Sequence, residues 1–139
     1  MFIRVCEVRI MKKAAFIASL TALVFSPLSF ADINEDLENI CTIVKNNDKS
    51  ELRKKMRAVQ ADYNMRLSDY YSGISCGGNS LIRYAMQNGA IDVGTYMIKK
   101  MSKKSLSEAE ADGLAIKQWA EQNGFIDSDI GKELLSRLN

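Results

Sequence analysis

There is no histidine anywhere in the 139 residues. That removes Ser–His and Cys–His nucleophilic systems, the commonest general base and nearly all catalytic zinc sites. The three cysteines form no C-x-x-C pair, so a thioredoxin-like redox role lacks its motif. No P-loop, dinucleotide glycine pattern or calcium loop is present; "GISCGG" (Gly73–Gly78) is too short and leads into Asn79-Ser80 rather than Lys-Ser/Thr. Neither a metal nor a cofactor is expected, and no enzyme activity. Period-two alternation is missing over any useful length, which predicts an all-α chain.

What is present begins with an address. "MKKAAFIASLTALVFSPLSFA", from Met11, has two lysines, an apolar run from Ala14 to Phe25, and Ser29-Phe30-Ala31 at its close, as a signal-peptidase site requires. Ser26 and Pro27 break the run short of the ~20 apolar residues that span a bilayer. The reading is a signal peptide over residues 11–31, cleaved after Ala31, and a periplasmic or secreted bacterial product. No Cys follows the cleavage site, so a lipoprotein is not indicated. Residues 1–10, "MFIRVCEVRI", precede a complete signal and are expected to be a mis-assigned upstream start, with translation beginning at Met11.

Residues 32–139 then form a single helical domain. Losing the leader removes four of 19 basic and one of 17 acidic residues, leaving 15 against 16. A near-neutral product has no electrostatic footprint for nucleic acid or for an anionic membrane. No stable membrane insertion is expected after cleavage. Cys6 leaves with the leader, and Cys41 and Cys76 remain as an even pair in an oxidising compartment, which predicts a disulfide; two buried free thiols are the alternative.

Helical spacing groups the rest. Ile33, Leu37, Ile40, Cys41 and Val44 share one face of a first helix ending near Asn46-Asn47. Asp48 and Glu51 make a capping box for a second, long helix carrying Leu52, Met56, Val59, Tyr63, Leu67 and Tyr70 through about five turns. "YSGISCGGNS" is a loop. Asn79 or Ser80 caps a third helix that stops at Asn88-Gly89; Ile91 to Met101 form a fourth, with lysines at its end. Ser107 and Glu110 are read as a capping box opening a fifth helix that ends at Asn123-Gly124, and Asp127 or Ser128 caps the sixth. About six helices in three stacked antiparallel pairs are expected.

One phrase is written twice. Tyr84–Asp92 over Trp119–Asp127 matches Ala85 with Ala120, Gln87 with Gln122, Asn88 with Asn123, Gly89 with Gly124, Ile91 with Ile126 and Asp92 with Asp127. A small residue lets helices approach, Asn-Gly ends a helix in an αL turn, and Ile opens the return helix. The spacing is that of helix-pair repeats.

"GNSLIRYAMQNGAIDVGTYMIKKM", Gly78 to Met101, resembles an ankyrin repeat: Ser80 stands where that family has Thr, Ala85 where it has Ala, and Gly89 where it has Gly. Leu81 and Arg83 stand where it has Pro and His. The resemblance implies a degenerate ankyrin-like stack. Over most of residues 32–139 the chain also resembles a family of small exported proteins of unknown function from marine gammaproteobacteria, which share an early Cys and a Cys-x-Gly-x-Ser-Leu-x-Arg-Tyr/Phe-Ala pattern. Here it reads "CGGNSLIRYA", Cys76 to Ala85. This second resemblance implies no activity.

Acidic residues are plentiful, but no pair is singled out for acid–base work. The run "RKKMR", Arg53 to Arg57, reads as a solvated helix face around a buried Met56. Arg83, among apolar neighbours, is read as pairing with a carboxylate or with helix-end carbonyls, with a ligand contact as the alternative. The aromatic residues are core fillers, except that Tyr70 and Tyr71 beside the glycine-rich loop are candidate exposed anchors. The candidate partner-binding set is therefore Tyr70, Tyr71, Ser75, Asn79 and Arg83. The expected function is a non-catalytic protein-interaction module, a monomer that binds another envelope protein. The alternatives are an envelope hydrolase using a carboxylate pair and a stress-related stabilising protein.

Overall fold

A computed structural model describes the backbone of residues 29–139, and side chains from Ile33 on. The upstream start, Cys6 and the leader before Ser29 lie outside the residues so described, and the expected cleavage point after Ala31 falls within the helix that opens the described chain. The described chain is all-α: α1 Ser29–Asp36, α2 Ile40–Lys45, α3 Lys49–Tyr63, α4 Leu67–Tyr70, a 3₁₀ turn Tyr71–Gly73, α5 Leu81–Asn88, α6 Ile91–Lys100, α7 Lys103–Ser107, α8 Ile116–Asn123 and α9 Asp129–Leu138. No described helix is long and apolar enough to cross a membrane.

Consecutive helices pack as α2 with α3, α5 with α6, and α8 with α9. Between these pairs α2 touches α5 and α5 touches α8, while α3 touches α6 and α6 touches α9. The result is two layers, one of leading and one of returning helices. Their shared core includes Val44, Leu52, Val59, Ile82, Val93, Met97, Leu106, Ile116 and Leu134. Asn47 links the first two pairs: at φ 57 its side chain accepts from the Val93 N–H at 3.0 Å and donates to Asp92 at 3.1 Å, capping α6 from a distant turn.

Three boundaries differ from the sequence reading, each for a local reason. Asn39 at φ 67 splits the expected first helix into α1 and α2. Asn64 at φ 55 ends the expected long helix at Tyr63; the buried stripe resumes in phase with Leu67 and Tyr70, which hid the break. Asn tolerates this left-handed region better than other non-glycine residues. Ser107 does not open the fifth helix. It closes α7, donating to the Lys103 carbonyl at 2.8 Å, and α8 begins only at Ile116. Elsewhere Asp48 accepts from the Glu51 N–H at 3.1 Å and Ser128 from the Gly131 N–H at 3.1 Å, as cap residues do.

The repeated phrase is a structural repeat up to its glycine. α5 and α8 have eight residues each; Ala85 and Ala120 are fully buried, and Gly89 and Gly124 sit at φ 63 and φ 80. Asn88 donates to the Tyr84 carbonyl and Asn123 to the Trp119 carbonyl, both at 2.8 Å. Beyond the glycines the copies part. After Gly89 the return helix starts at Ile91; after Gly124 a turn over Phe125–Ser128 comes first. Phe125 stacks on Trp119 with centroids 5.4 Å apart. Ile91, expected to open the packing of the return helix, is exposed, and Ala90 is buried in its place.

The extra turn lets α9 press onto α6. A Cβ on Gly94 would stand 2.6 Å from Ile130 Cδ1, and one on Gly131 would stand 2.3 Å from the Ile126 carbonyl oxygen. Glycine at 94 is what that approach requires, and glycine at 131 lets the start of α9 fold back onto the Phe125–Ser128 turn before it.

Candidate functional site

Cys76 opens a four-residue turn closed by Cys76 N–H to Asn79 O at 2.7 Å and Asn79 N–H to Cys76 O at 3.1 Å. Its central residues, Gly77 and Gly78, take φ 61 and φ 84, the positive values that a primed turn needs at both places. Cys76 is buried and disulfide-bonded to Cys41 on α2, so the loop before α5 is fastened to the first helix pair.

A second loop faces this one. Glu110 N–H donates to Leu114 O and Gly113 N–H to Glu110 O, both at 2.9 Å, with Gly113 at φ 85. Between the two loops lies an open groove of about 550 Å³. Four of the five expected residues, Tyr71, Ser75, Asn79 and Arg83, line it; Tyr70 does not.

Arg83 is the buried cation of the site, 5% exposed. Its Nε lies 2.6 Å from Glu110 Oε1, and its two terminal nitrogens bind both Asp112 oxygens at 2.7 and 3.0 Å. It also donates to the Leu114 carbonyl at 3.0 Å and stacks over Trp119 at 5.1 Å. Such fork-shaped pairing fixes geometry as well as charge. Arg83 is thus committed to the protein's own carboxylates, the pairing expected of it, and ties α5 to the second loop.

Tyr70 and Tyr71 are not exposed anchors. Both are buried, because the 3₁₀ turn sends the chain's exposure to Ser72 and Gly73. The Tyr71 hydroxyl accepts from the Ile82 N–H at 3.2 Å and lies within reach of Ser80 and Glu110; burial drives its pKa well up. Burial also pushes Tyr70 up to about 12, with Tyr96 and Asp69 adding to the effect. Ser75 is exposed, and Asn79 donates to Gln87 at 3.2 Å.

Glu110 receives the Ser80 hydroxyl at 2.9 Å on the oxygen that meets Arg83. Its other oxygen, Oε2, is buried without a hydrogen bond of good geometry among the described residues. Burial holds the Glu110 pKa above the usual carboxylate range, outweighing Ser80 and Arg83, which pull it down. Asp112, half-exposed, goes the other way: the Arg83 hydrogen bond, then the Leu114 N–H at 3.0 Å, bring it to about 2.

Glu110, Asp112 and Trp119 are the site residues that periodicity missed. Reading Glu110 as a helix cap turned it outward in expectation. The signal that would have found them is Asp112-Gly113, a turn dipeptide inside the segment assigned to a helix. Among the described residues no group of three or more His, Cys, Asp or Glu is placed to hold a metal.

No curated protein and no solved structure matches the chain. Residues 40–108, from α2 through α7 with both cysteines and the loop between Tyr70 and Asn79, match the model of a family described as "Protein of unknown function (DUF3718)", so the chain carries a domain similar to that family over its first two helix pairs.

Proposed function

We propose that the protein is an exported, non-catalytic interaction module whose groove takes an extended, basic segment of another envelope protein. The observation that carries this reading is the charge of the groove, whose lining carries Glu108, Glu110 and Asp112 against Arg83 alone. An excess of carboxylates along the groove favours a cationic occupant. Ser72, Ser75 and Asn79 line the same groove and suit the main chain of an extended segment. The periplasmic address rests on the leader-like residues 11–31, on the disulfide, and on the resemblance to exported gammaproteobacterial proteins at Cys76–Ala85. Helix pairs stacked in ankyrin-like fashion would hold the two loops side by side, as repeat proteins hold their binding edge. The test is a photo-crosslinker at Ser75, with one at Lys132 on α9 as control, in the full chain expressed in bacterial cells. A discrete envelope adduct from Ser75 alone, lost with Glu108→Lys, supports the reading; its absence counts against it.

One observation favours a second reading, a hydrolase. Glu110 and Asp112 have pKa values pushed apart on a shared groove, as an acid and a base require. Against it, the same guanidinium occupies both carboxylates. Turnover of a glycan or peptidoglycan substrate, abolished by Glu110→Gln, would favour the hydrolase over the docking module.

A further inference from the structure

A second groove, of about 390 Å³, lies where α3, the turn after it and α6 come together. Its floor is apolar. Met56 and Ala61 come from α3, Met65 and Leu67 from the segment that follows the Asn64 break, and Tyr96 from α6. Met56, Met65 and Tyr96 are only half-buried, so the thioethers and the ring face an unfilled space rather than a closed core. Methionine suits a surface that must fit a flexible apolar occupant.

The rim is cationic. Arg57, Arg66 and Lys100 line the groove, all exposed, and none of them has an ion pair among the described residues. The Lys100 and Lys49 ammoniums stand 5.5 and 5.7 Å from the centre of the Tyr96 ring, which gathers positive charge at one end of the slot. No carboxylate lines it. Of the acidic residues on the same elements, Glu51 pairs with Lys54, Asp69 accepts from the Arg66 N–H at 2.7 Å, Asp92 accepts from Asn47, and Asp62, exposed beside Ala61, is not among the groove's lining.

We propose that this groove binds a single-chain amphiphile with an anionic head, a monomeric fatty carboxylate: the alkyl chain lies over Met56, Met65, Leu67 and Tyr96, and the head is held by Arg57, Arg66 and Lys100. The volume falls within the ~300–1,000 Å³ typical of small-molecule sites. Guanidinium groups bind a carboxylate through paired N–H donors, which gives the head its orientation. The site shares no residue with the groove of the proposed docking function and does not depend on it.

The test is titration of the purified full chain with dodecanoate below its micelle concentration, followed by calorimetry and by the methionine methyl signals. Saturable one-to-one binding that moves the Met56 and Met65 methyls is expected, with at least tenfold weaker binding of dodecanol. The exposed pair Arg57→Glu with Arg66→Glu should weaken dodecanoate at least tenfold while circular dichroism and melting stay as in the parent; Arg57→Gln with Arg66→Gln should give an intermediate loss. Absence of saturable binding, equal affinity for dodecanol, indifference to the arginine changes, or binding confined to anionic phospholipid vesicles would each overturn the proposal.

Discussion

Arg83 Nε lies 2.6 Å from Glu110 Oε1, with the two side chains only 6% and 16% exposed. Each is therefore a buried charge that depends on the other. Removing one partner of such a pair costs about 3–5 kcal/mol, whereas replacing both by apolar groups is often close to neutral. Arg83→Met should accordingly lower stability by about that amount, and Arg83→Met with Glu110→Leu by much less than the sum of the single changes. Denaturant melts of the four proteins in this cycle check it, and additive losses would mean that the two side chains act independently.

The acid limb of stability carries both signs. Asp112, at about 2 folded and about 3.9 unfolded, contributes stability that is present above the unfolded value and lost as pH falls toward 2. Glu110 is raised, so its folded form binds the proton more tightly, and stability grows as pH falls through its folded pKa toward about 4.3. A maximum on the mildly acidic side is expected, with a decline below pH ~4. Carboxyl-carbon NMR should find Asp112 near 2, moving toward about 3.9 in Arg83→Met. An Asp112 value that ignores the Arg83 change would contradict the pairing.

The Cys41–Cys76 bond spans a sequence separation of 35 residues. Chain-entropy loss in the unfolded state for a loop of that size corresponds to about 3–4 kcal/mol. Cys41→Ser with Cys76→Ser should lower stability by that amount, and a reductant should do the same to the parent. Thermal melts with and without reductant are the check, and the double serine variant should not respond to reductant.

Gly131 and Gly94 are tight for different reasons, so alanine should separate them. At Gly131 the obstacles are the Phe125 and Ile126 carbonyls, and backbone must move; a loss of roughly 1–3 kcal/mol is expected. At Gly94 the obstacle is the buried Ile130 side chain, met at Cδ1, Cγ1 and Cγ2 at 2.6, 2.8 and 3.1 Å, so side-chain rather than backbone atoms must give way. Gly94→Ala should therefore cost less than Gly131→Ala, and Ile130→Ala in the same chain should recover part of the Gly94→Ala loss. A Gly94→Ala loss that is the same with and without Ile130→Ala would argue against the close approach of α9 to α6.

The helical class, the disulfide and the Gly89 and Gly124 turns were legible in the sequence because each has a local signature: period, parity of cysteines, and Asn-Gly after an apolar run. The breaks at Asn39 and Asn64 were not, since the apolar period runs on across them. The polar, glycine-rich neighbours of Tyr70 and Tyr71 point them outward in the sequence; what buries them is a 3₁₀ turn that has no periodic sign. Arg83 stands out in the sequence as a cation among apolar neighbours, which points to a carboxylate or helix-end carbonyl partner. Which carboxylates it meets depends on how the second loop folds back, a relation between residues 29 positions apart that no local pattern carries.

The docking claim is tested most directly by selecting extended peptides from a random library on the purified protein and measuring the winners by calorimetry. The account predicts enrichment of Lys- and Arg-bearing sequences, a loss of binding on replacing those cations with Glu, and at least tenfold weakening by Glu108→Lys, which acts on the groove without touching the Arg83 pairs. Peptides that are acidic or apolar, or that bind Glu108→Lys as well as the parent, would contradict it.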